Sequence, residues 1–74
     1  MTVDELIKQL ENDLLEYKEK VSMFEKEYNY AIDTHSDRGT VTYFFGRYEN
    51  TLRNMSNLHS AINIINEKLK EDTN

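Results

Sequence analysis

The sequence contains two histidines and fourteen acids, which are the residues that could act as metal ligands or acid–base groups. His35 lies between Asp33 and Asp37, an Asp-x-His-x-Asp spacing that could hold a metal ion in an extended loop. An EF-hand is excluded, because the sixth and twelfth positions from Asp33 hold Arg38 and Phe44 where that motif needs glycine and a bidentate acid. We interpret the segment as a polar turn that ends a helix.

His59 is the other candidate ligand, but no acid or cysteine lies within one helical turn of it. We interpret His59 as a polar residue at a core position of a helix, where it would fix helix register and oligomeric state. The chain has no cysteine, no glycine-rich phosphate loop and no recognisable nucleophile–base pair. We predict a protein that is not an enzyme and that uses no catalytic residue, metal or cofactor.

The carboxylates are concentrated in one half of the chain. Residues 1–37 carry ten acids and four lysines, whereas residues 38–74 carry four acids and five bases. A rigid series of carboxylates can imitate phosphates and occupy a basic groove built for DNA, although an ordinary solvated helix face has the same pattern. The acids predicted to bind a partner are Glu11, Asp13, Glu16, Glu19, Glu25, Glu27, Asp33 and Asp37.

Met23 and Tyr30 are apolar residues outside the helix seam described below, seven positions apart on one face. Methionine and aromatic side chains are enriched at interface cores. We add both residues to the predicted partner-binding set. They could be buried by a second copy of the chain or by a foreign partner.

The elements that position these residues are predicted by hydrophobic spacing. Apolar residues from Val3 to Ala31 recur in alternating steps of four and three, which is typical of a helix seam. Thr2 and Glu5 fit a capping box, so the first helix is expected over residues 3–33.

A second helix is expected over residues 41–71, after a turn at 34–40 in which Gly39 is free to take a positive φ. Thr40 or Thr42 could cap this helix, although residues 40–45 also have a strand-like composition. Its apolar stripe is wider than one partner helix needs. We therefore predict an all-α antiparallel two-helix hairpin that dimerises into a four-helix arrangement. The predicted dimer interface consists of Phe44, Phe45, Tyr48, Leu52, Met55, Leu58 and Ile62.

Length and charge limit the possible partners. A single domain of 74 residues without cysteine needs another source of stability, and we expect a homodimer. A net charge of −5 argues against direct nucleic-acid binding and favours a protein partner with a basic surface. The sequence has no apolar run that could span a membrane and no signal peptide, so we expect a cytoplasmic protein without a small-molecule substrate.

In length, acidity and the acid-rich first helix that begins Thr-Val-Asp-Glu-Leu-Ile-Lys, the chain resembles small host-takeover proteins of phages that infect low-GC Gram-positive bacteria. That resemblance implies an inhibitor in the bacterial host cytosol that blocks DNA access to a host protein. The replication sliding clamp is the best candidate for that protein, and a homodimer would lie in its positively charged channel. The alternative is a structural or adaptor module that binds a partner helix or groove through its apolar face.

Overall fold

The computed structural model describes residues 2–73, with side chains described for residues 2–70. It contains two α-helices, α1 (Val3–Asp33) and α2 (Arg38–Thr73), which pack against each other as a rod of 56 × 16 × 16 Å. No strand occurs among these residues, and the segment 40–45 is helical. The predicted all-α helical hairpin is confirmed.

The start of α1 is fixed by Thr2. Its backbone is extended, with φ −80° and ψ 162°, and its side-chain oxygen accepts a hydrogen bond from the backbone N–H of Glu5 at 3.2 Å. This bond satisfies one of the amides that a helix start leaves unpaired. Asp4 and Glu5 add negative charge to the first turn, where the helix dipole favours it.

The end of α1 is closed by a Schellman motif around His35. The backbone N–H of Ser36 donates to the carbonyl of Ala31 at 3.0 Å, and that of His35 donates to the carbonyl of Ile32 at 3.1 Å. His35 has a φ of 56°, in the left-handed region that usually requires glycine. The prediction of a positive φ at Gly39 is wrong, because the chain reverses four residues earlier.

The start of α2 differs from the sequence prediction. Asp37 is the cap, since its Oδ1 accepts a hydrogen bond from the backbone N–H of Thr40 at 2.7 Å. The helix therefore begins at Arg38, three residues before the predicted start. Thr40 is the donor in this capping bond, and neither it nor Thr42 is the cap. Gly39 lies inside the first helical turn.

The core between the helices is narrow. Only Phe24, Ala31 and Ile62 are buried hydrophobic residues among those described. Near the turn, the ring of Tyr28 lies 5.3 Å from that of Phe45 and 6.1 Å from that of Tyr48, measured between ring centroids. Most of the other seam residues are half-buried, and Val3, Phe45 and Leu52 are exposed, which leaves much apolar surface in contact with solvent.

Candidate protein-binding surfaces

Most acids of α1 are exposed and have no partner within the hairpin. Of the residues that the structure describes, eight acids in the first half make no side-chain hydrogen bond or ion pair that would hold them. These are Asp4, Glu5, Glu11, Asp13, Glu16, Glu19, Glu25 and Asp33. Six of the eight predicted partner-binding acids belong to this group, and their carboxylates are accessible to a partner.

The other two predicted acids have structural roles. A carboxylate oxygen of Glu27 lies 3.6 Å from the guanidinium of Arg47 on α2, and the Arg47 guanidinium carbon lies 4.0 Å above the ring centre of Phe24. The same Glu27 oxygen, Oε2, is buried without a hydrogen bond. Asp37 caps α2, and its hydrogen bonds with Thr40 lower the pKa of its carboxyl group. Both acids act mainly within the hairpin.

The lysines of α1 do not neutralise the acids by direct contact. Glu16 and Lys20 have the favourable spacing of four residues, but the structure forms no ion pair between them. The ammonium of Lys20 instead lies 5.9 Å from the ring centre of Tyr17. The lysines therefore reduce the negative potential of α1 without occupying its carboxylates.

The charge density of α1 is far below that of DNA. The helix carries nine acids and four lysines, a net charge of −5. At 1.5 Å per residue this is roughly one net charge per 9 Å, against about one per 1.7 Å in duplex DNA. The helix can offer a local acidic patch, but it does not reproduce the continuous charge of a duplex.

The acids also do not form one row. Glu25 lies nine residues after Glu16, which is about two and a half turns, so the two project from opposite sides of α1. The side of α1 that points away from α2 is here called the outer face. It carries Glu5, Glu19, Met23 and Tyr30, with Lys8 and Lys26 beside them and Glu16 at its edge.

Met23 and Tyr30 are exposed on this outer face, with 48% and 70% of their surfaces accessible. Neither packs against α2. The outer face thus combines carboxylates and Lys8 toward the start of α1 with two exposed apolar side chains, on either side of Lys26, toward its end. Such a face can offer a partner both carboxylates and apolar area.

A polar cleft of about 370 Å³ lies between the helices on one side of the hairpin. Its walls are Asp13, Glu16, Tyr17 and Lys20 of α1 and Asn54, Asn57 and Leu58 of α2. The asparagines belong to residues 54–66 of α2, a stretch without Asp, Glu, Lys or Arg. Asn54, Asn57 and Ile64 of this stretch are exposed. The cleft extends the acidic patch toward α2.

The opposite side of the hairpin has an apolar groove of about 390 Å³. It is lined by Leu14 and Lys18 of α1 and by Leu52, Met55, Ser56 and His59 of α2. Phe45 lies one heptad before Leu52 on the same side of α2, and Ile32 lies one turn after Tyr28 on α1. Phe45, Leu52 and Ile32 are 41%, 36% and 44% exposed, so this side of the hairpin also exposes apolar side chains nearer the turn.

The seven residues predicted for a dimer interface divide between two environments. Ile62 is buried, while Phe44, Tyr48, Met55 and Leu58 are half-buried in the hairpin. Only Phe45 and Leu52 are exposed. The sequence placed all seven in one stripe, and the structure shows that α1 already covers most of it.

The two histidines are both exposed. His35 is held by the backbone geometry of the turn, and His59 lies at the wall of the apolar groove and is not buried within one hairpin. Among the described residues, no three His, Cys, Asp or Glu side chains are grouped closely enough to hold a metal ion. Neither described helix contains a segment long and apolar enough to cross a membrane.

Comparison with known proteins does not assign these surfaces. No protein-family model matches the chain, and no curated protein or solved structure shows significant similarity to it. Sequence reasoning had missed Leu14, Lys18, Asn54 and Asn57 as surface-lining residues. The wide apolar stripe of α2 indicated that some apolar residues would stay uncovered by α1. Which residues these are depends on how α2 is rotated about its axis when it packs against α1.

Proposed function

We propose that this chain is an acidic helical inhibitor that binds the basic DNA-binding surface of a host DNA-handling protein and blocks DNA access. The observation that carries the proposal is the exposure of the outer-face carboxylates of α1, Glu5, Glu16 and Glu19, none of which is held by a partner within the hairpin. A basic groove that normally contacts phosphates offers lysine and arginine side chains to such a surface. The replication sliding clamp is the first candidate partner, on the strength of the resemblance to phage host-takeover proteins.

The physical mechanism is electrostatic attraction followed by apolar contact. Long-range attraction between the acidic hairpin and a basic surface speeds encounter and excludes partners of like charge. Met23 and Tyr30 would then supply buried apolar area beside the carboxylates, because they share the outer face with Glu16 and Glu19. DNA is excluded because the rigid rod occupies the same surface.

The acidic outer face can be tested with two charge-matched variants. The Glu16→Gln/Glu19→Gln pair removes two carboxylates from the outer face, and the Glu11→Gln/Glu25→Gln pair removes two from the groove side of α1. An exposed ion pair contributes about 0.2–1 kcal/mol, so losing two should weaken binding about two- to thirtyfold. The control pair should retain wild-type affinity.

The measurement is quantitative affinity capture from a bacterial lysate, with wild-type chain and both variants as baits. A basic, DNA-handling protein captured by the wild type and the control, but lost with the outer-face variant, supports the proposal. Equal capture by all three baits contradicts a role for these carboxylates. Circular dichroism of each bait checks that the helices are intact.

The alternative function is an adaptor module that docks a partner helix or groove through exposed apolar residues. The exposure of Met23 and Tyr30 on one face favours it specifically. In that case Met23→Ser/Tyr30→Ser abolishes capture, whereas the Glu16→Gln/Glu19→Gln variant captures the same protein as the wild type.

A further inference from the structure

The hairpin exposes more surface than a folded monomer of its mass. Its accessible surface is 5832 Å². A monomer of 8.8 kDa typically exposes about 4,800 Å². The excess of roughly 1,000 Å² is similar to the area of about 800 Å² that each partner buries in a standard protein interface. An area of this size is what one copy of the chain would lose in a stable dimer.

The apolar groove is where such a contact would gain most. Leu14, Leu52 and Met55 line it, and Phe45 and Ile32 are exposed on the same side of the hairpin nearer the turn. The polar cleft on the opposite side is lined mainly by charged and amide groups instead. Burying the apolar side removes hydrocarbon from water at a smaller cost in polar desolvation than burying the cleft.

The charges beside the groove are self-complementary. Lys18 lines it, and Glu11 and Glu25 stand one heptad before and after Lys18 in the same row of α1. An interface with twofold symmetry requires one patch to match itself. A twofold axis that lies between Lys18 and Glu11, or between Lys18 and Glu25, brings the lysine of each copy opposite a carboxylate of the other. A strongly basic partner could pair with Glu11 and Glu25 but would also meet Lys18 at the wall of the groove, whereas a second copy can pair charges of both signs. The groove therefore suits a second copy better than the basic protein proposed for the outer face.

We propose that the apolar groove is covered by a second copy of this chain, giving a four-helix dimer. The interface retains Phe45, Leu52 and Met55 from the sequence prediction and adds Leu14, Lys18 and His59. Ile62 remains buried within each hairpin, and Phe44, Tyr48 and Leu58 remain half-buried there. Because the outer face of α1 points away from the groove, its acids and Met23 stay exposed in the dimer. This inference does not depend on the proposed inhibitor function.

The test uses the absence of cysteine from the sequence. Leu52→Cys places a single thiol in the groove, and Ile64→Cys is the matched control on the outer side of α2, where the residue is 64% exposed. Alkylation rates are measured from low micromolar to submillimolar protein, and sedimentation equilibrium gives the mass over the same range. When nine-tenths of the chains are dimeric, the thiol at position 52 should react about tenfold more slowly, following the monomer fraction.

The proposal expects a mass of twice 8.8 kDa, with protection at position 52 and none at position 64. A chain that stays monomeric at every concentration overturns it and leaves the groove open for a foreign partner. A dimer that protects position 64 but not position 52 also overturns it, because the contact would then lie on another face. The wild-type mass decides the oligomeric state even if either variant folds poorly.

Discussion

Replacing His35 with glycine should make the protein more stable, although it removes a larger side chain. His35 is the only described residue other than glycine with a positive φ, at 56°. The left-handed conformation costs an L-residue about 1–2 kcal/mol, and glycine adopts it without that strain. Glycine also gives the unfolded chain more freedom, which offsets about 0.4–1 kcal/mol.

The net gain from His35→Gly is therefore about 0.5–1 kcal/mol. For a domain of this size, 1 kcal/mol shifts the melting temperature by about 4–8 °C, so a rise of roughly 2–8 °C is expected. The assay is thermal unfolding followed by circular dichroism, at one fixed protein concentration because a dimer would melt with concentration dependence. The control is His35→Ala, which loses the imidazole ring but keeps the backbone strain.

The comparison of the two variants separates strain from side-chain contacts. The His35→Gly variant should have a higher melting temperature than the wild type, and the His35→Ala variant should have the same melting temperature or a lower one. If glycine lowers the melting temperature, the imidazole makes a stabilising contact that outweighs the strain, and the reasoning about the turn is refuted.

Two further predictions concern the stability of α2. Gly46→Ala should raise the free energy of unfolding by about 0.5–1 kcal/mol, because a glycine inside a helix is entropically costly and an added Cβ at this position meets no atom within 4 Å. Urea unfolding measures this free energy. A loss of stability would show that the surroundings of Gly46 are tighter than the structure indicates. The capping carboxyl of Asp37 has a pKa lowered below 3.8 by its hydrogen bonds with Thr40, so its contribution is present above pH 3.8 and is lost as the pH falls through the folded-state pKa. Asp37→Asn keeps a capping oxygen without the titration, so melting temperature against pH should fall less steeply for it in this acid range, and parallel curves would exclude the cap as a source of acid sensitivity.

The first helix could be predicted from sequence because its seam has no irregular step and Thr2 supplies an ordinary cap. The start of α2 could not, because Asp37, Arg38 and Gly39 have the composition of a loop. Asp37 caps from within that segment, and the left-handed residue is His35, where sequence preference points to a nearby glycine. Local sequence preference favoured a reversal at Gly39, whereas the Schellman bonds and the Asp37 cap place it at His35.

The candidate surfaces were predicted less completely than the helices. Exposure of Glu16, Glu19 and Tyr30 follows from their position outside the seam, which sequence spacing reveals. The role of Glu27 within the hairpin does not follow from spacing, because the packing of α2 places Arg47 opposite Glu27. Likewise, the wide stripe of α2 indicated a second contact, but only the packed hairpin shows that Phe45 and Leu52 remain open while Ile62 is covered.

The central claim is that the acidic hairpin competes with DNA for a basic protein surface. The most direct measurement is its affinity for a purified bacterial sliding clamp at increasing salt, with duplex DNA as competitor. Raising ionic strength from about 0.1 M to about 1 M shortens the screening length from roughly 10 Å to roughly 3 Å, and the affinity should fall at least about tenfold. The chain and DNA should also displace each other. Binding that is insensitive to salt, or that leaves DNA in place, would contradict the account.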